Sequence, residues 1–142
     1  SFSPEHFRYV NNADPMKSKQ LYKGLDQLMD EGVAQLFILE MNGRRVIGTV
    51  GALQFEVIQY RLEHEYGAKC TYENLSVHKA CWVEPTDPKN EEFKEFKRVK
   101  QRYLAKDKQG QLVFLADSEF TIQMTQSKYP SVKLHVTSEF KK

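Results

Sequence analysis

Apolar and polar residues alternate along this chain with two periods, and the switches between them predict strands and helices in a repeated order. Phe7-Arg8-Tyr9-Val10 alternates large apolar and other residues, as a short half-buried strand does. Asp14-Pro15 opens a helix whose apolar positions Leu21, Leu25, Leu28 and Met29 recur at helical spacing, and Gly32 ends it as a C-cap residue. Gln35 to Met41 reads as a strand. Asn42-Gly43 predicts a type I′ hairpin, because both central residues of that turn need positive φ. Arg44 to Val50 returns as the partner strand, with Val46, Ile47 and Val50 as core residues. After Gly51, a helix runs from Ala52 to Tyr66 with Leu53, Val57, Ile58 and Leu62 facing inward, and Gly67 caps it. Ala68 to about Val83 reads as one long extended stretch.

The same order follows again. Asp87 is the expected N-cap and Pro88 the first residue of a helix to about Lys97, with Phe93 and Phe96 on one face. Arg102 to Lys106 and Gln111 to Ala116 are strands around the turn Asp107-Lys108-Gln109-Gly110. A helix from Ser118 to Lys128, with Phe120 and Met124 inward, stops at Tyr129-Pro130, and Val132 to Glu139 is the last strand. Short right-handed connections make the split βαββαβ unit a favoured solution for such an order. The expected fold is therefore α+β: two linked ferredoxin-like halves, residues 1–74 and 75–142, sharing the long central strand.

Composition narrows the chemistry. The 142 residues are 40% hydrophobic and 28% charged, which fits a folded domain and not a disordered one. Net charge is only +2, far from the balance of a dedicated nucleic-acid binder, so any such contact has to come from local patches. If Cys70 and Cys81 share one extended strand they are about 36 Å apart, too far for a disulfide; free thiols in a reducing cytoplasm are expected. No run of about 18 apolar residues is present. The first residues show neither a basic nor an apolar leader region, so no signal peptide is expected. Because the chain begins with Ser1, it reads as a module cut from a larger protein.

Catalytic signatures are missing from the sequence. Gly48-Thr49-Val50-Gly51 sits at a strand-to-helix junction where anions can bind, yet no lysine follows and it reads as a tight turn. None of His6, His64, His78 and His135 has a metal-ligand partner at the usual spacing, and His64-Glu65 is followed by Ala68 where a zinc helix needs histidine. No catalytic, cofactor-binding or metal-binding residue is expected in this fragment. What remains is basic: Arg44 and Arg45 beside the first hairpin, Lys94, Lys97, Arg98, Lys100 and Arg102 from the third helix into the next strand, and Lys106 and Lys108 at the second hairpin. Arginine at a loop tip suits bidentate contact with phosphate. An RNA-recognition strand is not expected, because Arg44–Val50 carries no aromatic residue.

Four blocks carry a resemblance. They are Glu5 to Phe37, with Asp14-Pro15-Met16-Lys17 and Gln27-Leu28-Met29-Asp30-Glu31-Gly32 within it; Val50-Gly51-Ala52-Leu53-Gln54-Phe55-Glu56-Val57 with Arg61 to Tyr66; Ala80-Cys81-Trp82-Val83-Glu84; and Tyr129-Pro130-Ser131-Val132-Lys133-Leu134-His135. In order and spacing they resemble the C-terminal domain of bacterial peptide chain release factor 3, from near Phe2 to about Phe140. The Gly51–Val57 segment also resembles, more weakly, domain III of elongation factor G. The resemblance implies a cytoplasmic, ribosome-docking domain of a GTP-dependent termination factor. That factor promotes the departure of class I release factors after peptide release. GTP or GDP would bind an N-terminal GTPase domain, followed by a β-barrel, so the fragment itself is expected not to be an enzyme. The implied partners are ribosomal RNA and protein, the factor's own preceding domains and, indirectly, class I release factors. A regulatory ligand-binding ferredoxin-like domain is the alternative, resting on fold analogy alone.

Overall fold

A computed structural model describes residues 1–140. In chain order its elements are β1 (His6–Asn12), α1 (Ser18–Asp30), β2 (Gln35–Leu39), β3 (Arg45–Thr49), α2 (Leu53–Tyr66), β4 (Cys70–Asn74), β5 (Lys79–Pro85), α3 (Glu91–Val99), β6 (Leu104–Lys106), β7 (Leu112–Ala116), α4 (Glu119–Lys128) and β8 (Val132–His135). The chain divides into two compact units. The N-terminal unit holds Pro4–Phe37 and Arg44–Leu75, and the C-terminal unit holds Ser1–Ser3, Ile38–Gly43 and the residues from Ser76 onward.

Each unit is an antiparallel sheet with two helices. In the N-terminal unit the strand order is β4-β1-β3-β2, with Tyr9 opposite Val46 and Glu73. In the C-terminal unit it is β6-β7-β5-β8, with Trp82 opposite Val113 and His135. Numbered from its own first strand, each order is 4-1-3-2 or its reverse, and each chain path is βαββαβ. Both units are thus ferredoxin-like, and the α+β fold class read from the sequence holds.

The long central strand is a correction. The chain leaves strand geometry after Asn74 and re-enters it at Lys79. The break, Leu75-Ser76-Val77-His78, falls where the N-terminal unit ends and the C-terminal one resumes, so β4 pairs with β1 and β5 with β7 and β8 as separate strands. The first hairpin also differs. Gly43 has φ 72° but Asn42 has no positive φ, so no type I′ turn forms. Residues 40–44 make a longer loop in which Gly43 N–H donates to the Leu39 carbonyl at 2.8 Å. The second hairpin is as expected: Gly110 has φ 81°, and Asp107 Oδ1 accepts from the Gln109 and Gln111 amides. The other oxygen of Asp107 accepts from the buried Trp82 indole at 2.9 Å, which ties the turn to the core.

Helix α1 buries the predicted stripe of Leu21, Leu25, Leu28 and Met29, entered through one 3₁₀ turn capped by Asp14. Helix α2 is turned from its reading: of the four residues expected inward, Ile58 and Leu62 are, and Leu53 and Val57 are not. Phe55, Ile58 and Leu62 are buried, whereas Leu53 is 74% exposed and Val57 is also outside, as is Val50. Positions 55, 58 and 62 share one face, and 53 lies about 200° around from 55. Helix α4 repeats this error: Phe120 and Met124 are exposed and Thr125 is buried. Helix α3 starts three residues later than predicted. Asn90, not Asp87, is its N-cap, accepting from the Glu92 amide at 2.8 Å, while Asp87-Pro88-Lys89 forms the turn before it. Strand β8 ends at His135 instead of Glu139, and Arg102 lies in a 3₁₀ turn before β6.

Helices α1 and α2 meet at Gly24, where a Cβ would stand 2.8 Å from Leu62 and Tyr66. Alanine is the better helix former by about 1 kcal/mol, but overpacking a core costs about 1–3 kcal/mol. Gly24→Ala is therefore expected to lower the midpoint of urea unfolding; an unchanged or higher midpoint would show that the helices separate freely.

Candidate functional site

The strand-to-helix turn is closed to anions by the chain itself. The Gln54 carboxamide accepts from the Val50 and Gly51 amides at 3.0 and 2.8 Å, occupying the donors an anion would need. Gly48 is required by packing, since a Cβ there would meet Pro4 at 2.5 Å.

Arg44 and Arg45 are engaged within the N-terminal unit. The Arg44 guanidinium lies 3.7 Å over the Tyr9 ring, donates to Glu73 at 2.6 Å and reaches Asn11 at 3.2 Å. Arg45 lies 3.7 Å over Tyr22 of α1. Arg44 is thus held against β1 and Arg45 against α1. Glu73 also offsets the charge of Arg44.

The second group is different. Lys94 pairs with Glu91 at 3.2 Å, one turn back on α3. Lys97, Arg98, Lys100 and Arg102 have no carboxylate partner among the described residues. The Lys97 ammonium stands 4.5 Å over Phe93, and the Lys100 ammonium 5.7 Å over Tyr103. The Arg102 guanidinium lies 4.5 Å over the same Tyr103 and bonds its hydroxyl. Tyr103 is in turn stacked on Phe114 at 4.9 Å. Three cations are thus held on aromatic faces anchored in the core, and Arg98 adds a fourth on the exposed surface. The C-terminus of α3, where Lys97 and Arg98 lie, favours cations through the aligned peptide dipoles. Of the remaining lysines, Lys106 faces Glu40 at 3.7 Å. Reading the sequence for charge alone missed the aromatic platforms. The signals were present in the i,i+4 pair Phe93–Lys97 and in the adjacent Arg102-Tyr103.

Titratable groups elsewhere are used structurally. His78 faces Glu119 at 3.4 Å, and His135 meets Glu84 at 3.0 Å. No cluster of three or more histidine, cysteine or acidic side chains that could hold a metal is found among the described residues. Cys70 and Cys81 are free and buried. Burial raises both thiols, Cys81 from 9 to about 11, so neither is a ready nucleophile.

The chain is thus a pair of ferredoxin-like α+β units, the C-terminal one with a cationic edge backed by aromatic rings. Residues 1–126 match the family described as Class II release factor RF3, C-terminal domain, and the chain belongs to that family. Its function is accordingly in translation termination, as part of protein biosynthesis. The match ends within α4, so β8 and the Tyr129–His135 block lie beyond it.

The Cys81 thiol has a pH signature. A group whose folded pKa is raised favours the protonated, folded state below its unfolded pKa, and that stabilisation is lost as pH rises from 9 through about 11. The Cys81→Ala variant is expected to lose stability less steeply than the parent over that window in urea titrations; identical slopes would show that the folded thiol ionises freely.

Proposed function

We propose that this chain is the ribosome-docking domain of a GTP-dependent termination factor, acting where class I release factors are released after peptide release. Membership of the release factor 3 family supports the setting. The single structural observation that supports docking is the edge formed by Lys97, Arg98, Lys100 and Arg102, whose charges are left without carboxylate partners among the described residues. Aromatic faces limit the freedom of three of these side chains, so less conformational entropy is lost when they meet phosphate. Ribosomal RNA presents phosphates at a density that such an edge can track, and arginine can engage them through two nitrogens at once.

In this reading the fragment carries out no chemistry. GTP and GDP bind a preceding GTPase domain, and this domain passes the nucleotide state to the ribosomal contact together with an intervening β-barrel. The setting is the cytoplasm. None of the helices is long and apolar enough to cross a membrane among the described residues. Arg44 serves the N-terminal unit first, through Glu73 and Tyr9, whereas Arg45 lies over Tyr22 with no carboxylate partner among the described residues and stays a candidate contact.

Binding of the chain to purified ribosomes across a salt series tests the reading. Three or four phosphate contacts give a slope of log affinity against log salt of roughly −2 to −4. Lys97→Ala, Arg98→Ala, Lys100→Ala and Arg102→Ala are each expected to flatten the slope by about 1 or less. Arg44→Ala is expected to change it less than Arg98→Ala. Salt-independent binding, or an unchanged slope in the fourfold variant, would remove this edge from the contact.

A further inference from the structure

Helix α2 carries an apolar stripe that its own unit does not use. Leu53, Val57 and Tyr60 stand at i, i+4 and i+7, all exposed, with Tyr60 at 64%. The buried stripe of Phe55, Ile58 and Leu62 already supplies the packing against the sheet. Tyr60 also lines a groove between α2 and β4, together with Glu56, Gln59, Glu63, Lys69 and Thr71. Strand β4 has β1 on one side and no strand on the other among the described residues.

We propose that this groove takes a segment of a partner protein in which an apolar side chain is followed by lysine or arginine. The apolar side chain would cover Leu53 and Val57, and the cation would sit against Tyr60 between Glu56 and Glu63. Glu56 has no ion-pair partner among the described residues. Glu63 faces Lys69 at 3.6 Å with both side chains exposed, a pairing weak enough to exchange. The Tyr60 ring lies against His64, centroids 4.1 Å apart and planes tilted by 32°, which steadies the ring as a face for a cation. Tyrosine is enriched among interface anchors, and Tyr60 is exposed for that use.

Charge selects among the possible occupants. Two carboxylates against one lysine leave the groove net negative, which repels nucleic-acid phosphates, so this surface and the cationic edge of α3 serve different partners. A second copy docked about a twofold axis would bring together two surfaces of the same net negative charge, Glu56 and Glu63 against one Lys69 in each, which disfavours self-association. The first carbonyl of β4, that of Cys70, already accepts from Gln59 at 2.8 Å, and the charges and apolar groups that select the occupant lie on α2, so recognition is through side chains. This inference does not rest on the ribosome-docking reading, since it uses no residue of the α3 edge.

The test is an amide NMR titration of the ¹⁵N-labelled chain with three probes: a blocked peptide alternating leucine and arginine, its leucine–glutamate counterpart and an oligouridine. The arginine peptide is expected to shift signals of α2 and β4, saturably, while the other two leave them in place. Glu56→Gln combined with Glu63→Gln is expected to weaken that binding about fivefold, and Tyr60→Ala roughly tenfold. Unchanged signals of β1 and α1 in the free variants show that they are folded. Equal shifts with the glutamate peptide, shifts of these signals by oligouridine, shifts that depend on protein concentration without peptide, or no shift with the arginine peptide would each overturn the proposal.

Discussion

Two helices must lie side by side over one face of a small antiparallel sheet, and in the N-terminal unit they meet tightly at Gly24. There the α1 backbone comes near enough to Leu62 and Tyr66 that no Cβ fits. That contact sets the phase of α2. With Leu62 turned toward α1, Ile58 and Phe55 follow it into the core, and Leu53 and Val57 must point outward. Around it, fully buried side chains such as Leu25, Leu28 and Ile58 each contribute about 1.5–3 kcal/mol. Arg61 adds polar links from α2 to Glu31, just beyond α1, and to Glu65 one turn on. The C-terminal unit solves the same problem with aromatic bulk: Phe96 packs against both Phe114 and Tyr129.

The cationic edge is a by-product of that aromatic core. Phe93 and Tyr103 lie at its margin, each with one face available, and the faces are covered by Lys97, Lys100 and Arg102. Where an arginine is instead given a carboxylate, as Arg44 is by Glu73, its charge is offset locally. The local partners of a charge, more than the count of basic residues, therefore decide which cations remain for a ligand. The net charge of +2 is the sum over basic and acidic surfaces.

Much of the fold was legible because each half repeats one strand and helix order, and because α1 has one apolar stripe and so one possible phase. The readings failed where two phases were compatible with the residues. Helices α2 and α4 each carry a second apolar stripe, and hydrophobic spacing cannot tell which stripe faces the sheet. The start of α3 was read at Asp87-Pro88, a proper start signal, but Asn90 won. Its cap is followed by Glu91 and Glu92 in the first turn, and Glu92 also accepts from the Ser131 amide at 2.9 Å. At Asn42-Gly43 the dipeptide suits a two-residue turn, yet the strands end earlier and a longer loop needs positive φ at Gly43 alone. The candidate cations were all visible in the sequence; that Arg44 is offset by a carboxylate was not, because Glu73 lies far from it along the chain.

The sequence by itself determined the α+β class, the order of strands and helices, the family resemblance and the positions of the basic residues. These rest on local periodicity, turn chemistry and ordered motifs, which need no long-range contact. Tertiary structure alone decided which stripe of α2 is buried, that the extended stretch after Ala68 forms two strands, and which cations keep their charge for a partner. Those outcomes depend on residues distant in sequence meeting across a sheet or between helices, where close packing at Gly24 and pairing such as Arg44 with Glu73 select one arrangement from several that local spacing allows.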